Sequence, residues 1–117
     1  MIDAKLIPML LEHCAADIDL VTNVAVRSYP PGQSVEILNA RTLVGIDASR
    51  LADDEKEHPT QVFYRNPQTY RVRNITGSDP QWPGLSFVVD TLDDLRRLES
   101  LAWSGEYPAF ASGAVSA

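Results

Sequence analysis

Apolar positions recur along this chain with two different spacings. Leu6, Ile7, Leu10, Leu11 and Cys14 follow one another at steps of one, three, one and three, which trace one face of an α-helix. Asp3 is placed to cap it, and Pro8 falls in the second turn unless the helix proper starts there. The spacing predicts a helix over residues 4–16. At the other end Leu92, Leu95, Leu98, Leu101 and Ala102 repeat as a second buried stripe. Thr91, followed by Asp93 and Asp94, gives the Thr-x-x-acid pattern of a capping box, with Asp where Glu or Gln is usual. Both acids also suit the positive end of the helix dipole. Gly105 is placed to end this helix.

Between the helices the pattern turns to β-branched and aromatic runs. Val24–Tyr29 and Ser34–Leu38 flank Pro30-Pro31-Gly32-Gln33 and read as a hairpin. Thr42–Ile46 is a third short run, and Ala48–Lys56 has weak helical character. Residues 60–65 and 69–75, on either side of Asn66-Pro67-Gln68, read as a second hairpin, and Leu85–Val89 as a further strand. The expected fold is α+β: one small antiparallel sheet of about five strands, with the N- and C-terminal helices packed on one face. No repeat or linker divides the chain, so residues 1–105 are expected to form one domain. Residues 106–117, rich in Gly, Ala and Ser, are expected to be a loosely ordered tail pinned by Tyr107 and Phe110.

Composition narrows this picture modestly. The 117 residues suffice for one core, and 44% hydrophobic with 22% charged residues is ordinary globular usage. No apolar run approaches the roughly 18 residues that cross a bilayer, and the first residues lack the pattern of a secretory leader. The single Cys14 cannot form an internal disulfide. These points make the cytoplasm the expected location. A net charge of −6 repels nucleic-acid backbones and anionic membranes, so neither is an expected partner.

Candidate chemistry is sparse. The sequence has no phosphate-binding glycine loop, dinucleotide fingerprint, paired-cysteine spacing or nucleophile elbow. His13 and Cys14 are neighbours on a helix and point in different directions, so neither a metal site nor a thiol–imidazole pair is expected. No cofactor is implied. Cys14 lies on the apolar stripe, where a buried and inert thiol is expected. The run Asp53-Asp54-Glu55-Lys56-Glu57-His58 lacks the ligand alternation of a calcium loop and reads as solvated surface.

Two features remain. Thr60–Thr76 holds Arg65, Arg71 and Arg73 and no acid, a local reversal of sign. Those arginines could grip an anionic group, or pair with the acids of Asp47–Glu57 or the last helix. Trp82, between Pro80 and Pro83, is either a plug over the sheet or a presented anchor. The reading that follows is a small, acidic, non-catalytic protein-interaction module. It would be an oligomeric subunit, an inhibitor, or an immunity or phage accessory protein, contacting a protein partner or a second copy through Trp82, Phe63, Tyr64 and Tyr70. The alternative is a domain binding a small anionic ligand or nucleotide, or an enzyme on such a substrate. There Arg65, Arg71 and Arg73 would line a pocket, with His58 as a possible base.

Overall fold

The computed structural model describes residues 2–104 and 113–116. In chain order these form α1 (Leu6–Leu11), β1 (Leu20–Thr22), β2 (Glu36–Leu38), α2 (Ala40–Val44), a 3-10 turn (Ala48–Arg50), α3 (Asp53–Glu57), α4 (Gln61–Arg65), β3 (Val72–Gly77), α5 (Leu92–Ser104) and β4 (Gly113–Ser116). The sheet is mixed. β1 runs antiparallel to β2 and parallel to β3, and β4 adds antiparallel to the far side of β3. The expected antiparallel sheet of about five strands is therefore corrected to a three-stranded mixed core extended by β4. The connection from β1 to the parallel β3 carries β2 and most of the short helices.

Each departure has a local cause. Val24–Tyr29 is no strand because side chains take its backbone groups. The Val24 N–H donates to Thr22 Oγ1 (3.1 Å), and the Val26 N–H and carbonyl both bond the Asn74 amide. β2 accordingly pairs with β1 instead, Leu38 opposite Leu20 and Glu36 opposite Thr22. Thr42–Ile46 lies largely in a helix because Asn39 caps it, its Oδ1 accepting the Arg41 N–H at 3.0 Å. Thr42 Oγ1 also donates to Asp19 Oδ1 at 2.6 Å. Residues 61–65 bury the adjacent pair Val62 and Phe63, which an alternating strand cannot do, and Asn66 Nδ2 donates back to the Val62 carbonyl (2.7 Å). Leu85–Val89 lies outside the sheet, and the Phe87 N–H donates to the Pro31 carbonyl at 2.6 Å. Gly32, at φ +91°, makes that approach possible: a Cβ there would lie 2.3 Å from the Phe87 backbone.

The first helix is shorter than residues 4–16. Pro8 lies in its first turn, where no backbone donor is needed, and the chain turns off after Leu11. Its stripe divides: Leu6 and Leu10 are buried, whereas Ile7 and Leu11 are exposed. Cys14, beyond the helix end, is exposed as well, which corrects the expectation of a buried thiol. In α5 the capping box forms, with the Asp94 N–H on Thr91 Oγ1 (3.2 Å) and the Thr91 N–H on Asp94 Oδ2 (2.9 Å). Its stripe is narrower than expected. Leu98 is fully buried and Leu101 half-buried, while Leu92, Leu95 and Ala102 are exposed. Gly105, Tyr107 and Phe110 lie outside the described residues. Gly113–Ser116, within the segment expected to be a loose tail, is β4.

Strand alternation sends apolar side chains to both faces of the sheet. Val21 and Ile75 join Leu6, Leu10, Tyr29, Val35, Trp82, Phe87 and Leu98 in the larger core. Leu20 points the other way, against Val62 and Phe63 of α4, with Leu38, Tyr70 and Val72 around them. Among the described residues, no helix is long and apolar enough to cross a membrane.

Candidate functional site

The arginines of 60–76 do not converge. Arg65 is held by Asp54 and, at 3.2 Å, by Glu55. Arg71 pairs with Asp17 (2.9 Å), and its backbone N–H bonds Asp19 Oδ2 (2.8 Å). Arg73 donates to the His13 carbonyl at 2.7 Å. The single hairpin that would have grouped them is absent, so the three go to separate acidic or carbonyl partners. Trp82 is 5% exposed, its ring 4.9 Å from that of Tyr29, and it packs in the larger core. Gly77 lets both rings close over β3, since a Cβ there would come within 2.8 Å of each. Phe63 is fully buried, with the Tyr70 ring 4.8 Å away. Of the four aromatic residues singled out, Tyr64 lines a polar cleft that it shares with Arg27, Glu36 and His58.

That cleft, of about 560 Å³, opens beyond the carboxyl end of β1. Val24, Ala25 and Arg27 form one wall, Ser34 and Glu36 at the start of β2 another, and His58, Thr60, Gln61 and Tyr64 the third. Position follows from topology. In a sheet with parallel strands, the chain leaving a strand's carboxyl end diverges from its neighbours and leaves a crevice. Here the connection leaving β1 is fastened by buried amides. Asn23 Nδ2 donates to the Gln33 carbonyl (2.7 Å) and Asn23 Oδ1 accepts the Val35 N–H (2.8 Å). Asn74 of β3 holds Val26 on both backbone groups. Segments 24–27 and 33–36 are thereby fixed on either side of the opening.

The groups facing the cleft are chemically mixed. Arg27 is exposed and has no ion pair among the described residues, and its charge reaches the Tyr64 phenol. The His58 imidazole caps no helix and bonds no described side chain; only its backbone is engaged. Tyr64 donates to Glu36 Oε1 at 2.5 Å and lies 2.9 Å from Thr22 Oγ1. Burial, then the hydrogen bond to Glu36, pushes the Tyr64 phenol far above its usual range, so it keeps its proton and acts as a donor. A cation, a carboxylate, an imidazole and small hydroxyl and amide groups around one opening can hold a compact polar ligand through an anionic group and hydroxyls. Among the described residues, no group of three or more His, Cys, Asp or Glu is placed to hold a metal ion.

His58 carries over from the sequence reading; Arg27 and Glu36 do not. Both sit in the runs read as hairpin strands, and the available signal was the charge each placed beside Pro30-Pro31-Gly32.

No family model matches the chain, and no curated protein matches it. Among solved structures the chain is similar to a cytidylyltransferase from Leptospira borgpetersenii serovar Hardjo-bovis, with a TM-score of 0.67 and 19% identity over 87% of this chain. It spans 44% of that chain's length. At such identity the likeness concerns the fold alone.

Proposed function

We propose that the cleft beside Arg27 binds a small polyhydroxylated anion, a phosphorylated or carboxylated sugar-like molecule. We further propose that the chain forms the ligand-binding part of a nucleotidyl-transfer protein. One observation carries the reading: Arg27, the cleft's arginine, is free of ion pairs among the described residues, while Arg65, Arg71 and Arg73 are each engaged. A guanidinium presents paired donors that match phosphate or carboxylate. Glu36, His58, Ser34 and Thr60 supply acceptors and donors suited to hydroxyls. The fold likeness to a cytidylyltransferase supports the nucleotidyl-transfer context by analogy. In that context the cleft would orient the molecule that receives the nucleotidyl group.

Thermal unfolding with glucose 1-phosphate, gluconate, CTP and neutral glucose tests this. The two sugar anions are expected to raise the midpoint and glucose is not. Ligand at 100 times Kd adds about 2.7 kcal/mol, a shift on the order of 10 °C for a domain of this size. Arg27→Ala should remove the shift and leave the unliganded midpoint in place. Equal shifts in the variant and the parent, or none in either, would end the reading.

A protein-interaction role draws support from a different place than Trp82. Ile7 and Leu11 of α1, one turn apart, are 45% and 51% exposed. Leu11→Glu should lower the mass seen by light scattering if that face binds a second copy.

A further inference from the structure

The cleft contains a chain of hydrogen bonds whose direction is fixed at its far end. Glu36 is a carboxylate and can only accept, so the Tyr64 proton goes to its Oε1, 2.5 Å away. With that proton committed, the 2.9 Å contact between Tyr64 and Thr22 must use the Thr22 proton. Thr22 Oγ1 then accepts the Val24 N–H at 3.1 Å. Backbone amide, threonine, tyrosine and carboxylate thus point the same way, from the buried end of β1 to the mouth of the cleft. Thr22 is fully buried and Glu36 is exposed.

The outer half of this arrangement adds little to stability. Thr22 also holds the Val24 N–H, but the bond from Tyr64 ends on an exposed carboxylate that water would solvate as well. What the chain does accomplish is to hold one oxygen of a surface carboxylate that would otherwise rotate freely. The other, Oε2, has no bonding partner among the described residues. Glu36 lies opposite Thr22 on β2 and shares the cleft with Arg27.

We propose that Tyr64 is a positioning residue, holding Glu36 so that its second oxygen accepts a hydroxyl of the ligand whose anionic group Arg27 binds. The inference rests on the cleft reading above and deepens it: the site selects anions that carry hydroxyls over anions that do not. Gluconate and hexanoate are both carboxylates, and only the first can donate hydroxyls to Glu36.

Calorimetric titration of the full chain with these two probes reads the preference directly. The parent should bind gluconate about tenfold or more tightly than hexanoate, the scale of one hydrogen bond to a charged group. Tyr64→Phe and Glu36→Gln should each remove most of that preference and leave hexanoate binding in place, whereas Arg27→Ala should weaken both probes. Side-chain NMR relaxation of Glu36 supplies a readout without ligand: its methylenes should be ordered in the parent and mobile in Tyr64→Phe. Glu36 equally mobile in both proteins overturns the positioning role. An unchanged gluconate preference in Tyr64→Phe, with anion binding intact, overturns this inference and leaves the cleft reading standing. Failure of both probes to bind the parent overturns the two together.

Discussion

The two faces of the sheet are built from the same three residues of β1, and they differ in where their apolar character stops. On the side covered by α1 and α5, Val21 continues into Ile75, Phe87, Trp82 and Leu98 without a break. On the α4 side Leu20 packs with Val62 and Phe63, but two residues further along β1 Thr22 turns the same face polar. On α4, Tyr64 follows Phe63 directly and carries its hydroxyl to Glu36. One face is therefore a core. The other is a core at one end and a polar cleft at the other, so a substitution's cost should depend on which end it touches.

The largest losses should come from the uninterrupted face. Trp82→Ala is expected to lower stability by about 3–5 kcal/mol and Leu98→Ala by about 2–5 kcal/mol, because each removes a buried side chain and leaves a cavity. Urea melts check both, and a Trp82→Ala protein that unfolds like the parent would sink the assignment of Trp82 to the core. The buried amides should come next. Asn23→Ala removes the bonds to the Gln33 carbonyl and the Val35 N–H, at a cost of about 1–3 kcal/mol. It should also weaken gluconate binding, because it frees the 33–36 wall of the cleft. Arg27→Ala belongs at the other extreme, within about 0.5 kcal/mol of the parent, as an exposed residue with no ion pair among those described. If Arg27→Ala destabilised as strongly as Leu98→Ala, the contrast between core and cleft would collapse.

What could be read along the chain depended on how far each signal reached. α5 was legible because its cap is local: Thr91 and Asp94 find each other three residues apart, and of its expected stripe Leu98 faces fully inward while Leu92 and Leu95 stay exposed. The middle was not, since runs of five residues such as Gln61–Arg65 fit either period. There the decision came from distant partners. Asn74 takes up the backbone of Val26 across 48 residues, and Asp19 meets Thr42 across 23. The candidate site failed in the same way. Arg65, Arg71 and Arg73 looked grouped because they are near in sequence, but the fold sends them to Asp54, Asp17 and His13. Arg27, Glu36 and His58 meet only because the sheet is mixed and a helix covers its second face.

The smallest expected effect belongs to the helix on the uninterrupted face, and it concerns acid. The Asp94 carboxyl is held below its ordinary value of 3.8, first by the Thr91 hydroxyl, then by the backbone N–H groups of Asp90 and Thr91. A group whose folded pKa lies below its unfolded one stabilises the fold above the unfolded value. That contribution fades as pH falls through the lower, folded value. The first turn of α5 should therefore be fully capped at pH 6 and begin to fray below about pH 4. Amide exchange at Thr91 and Asp94 should report this while Leu98, deep in the core, stays protected. Asp94→Asn should fray more at pH 6 and lose its share of the acid dependence. Asp54 is also lowered, by Arg65, and acts on α3 instead, so the two effects separate by residue. If the α5 amides exchange at the same rate at pH 6 in Asp94→Asn and the parent, the capping box contributes nothing to that end of the helix. Anchoring by Leu98 alone would then hold it.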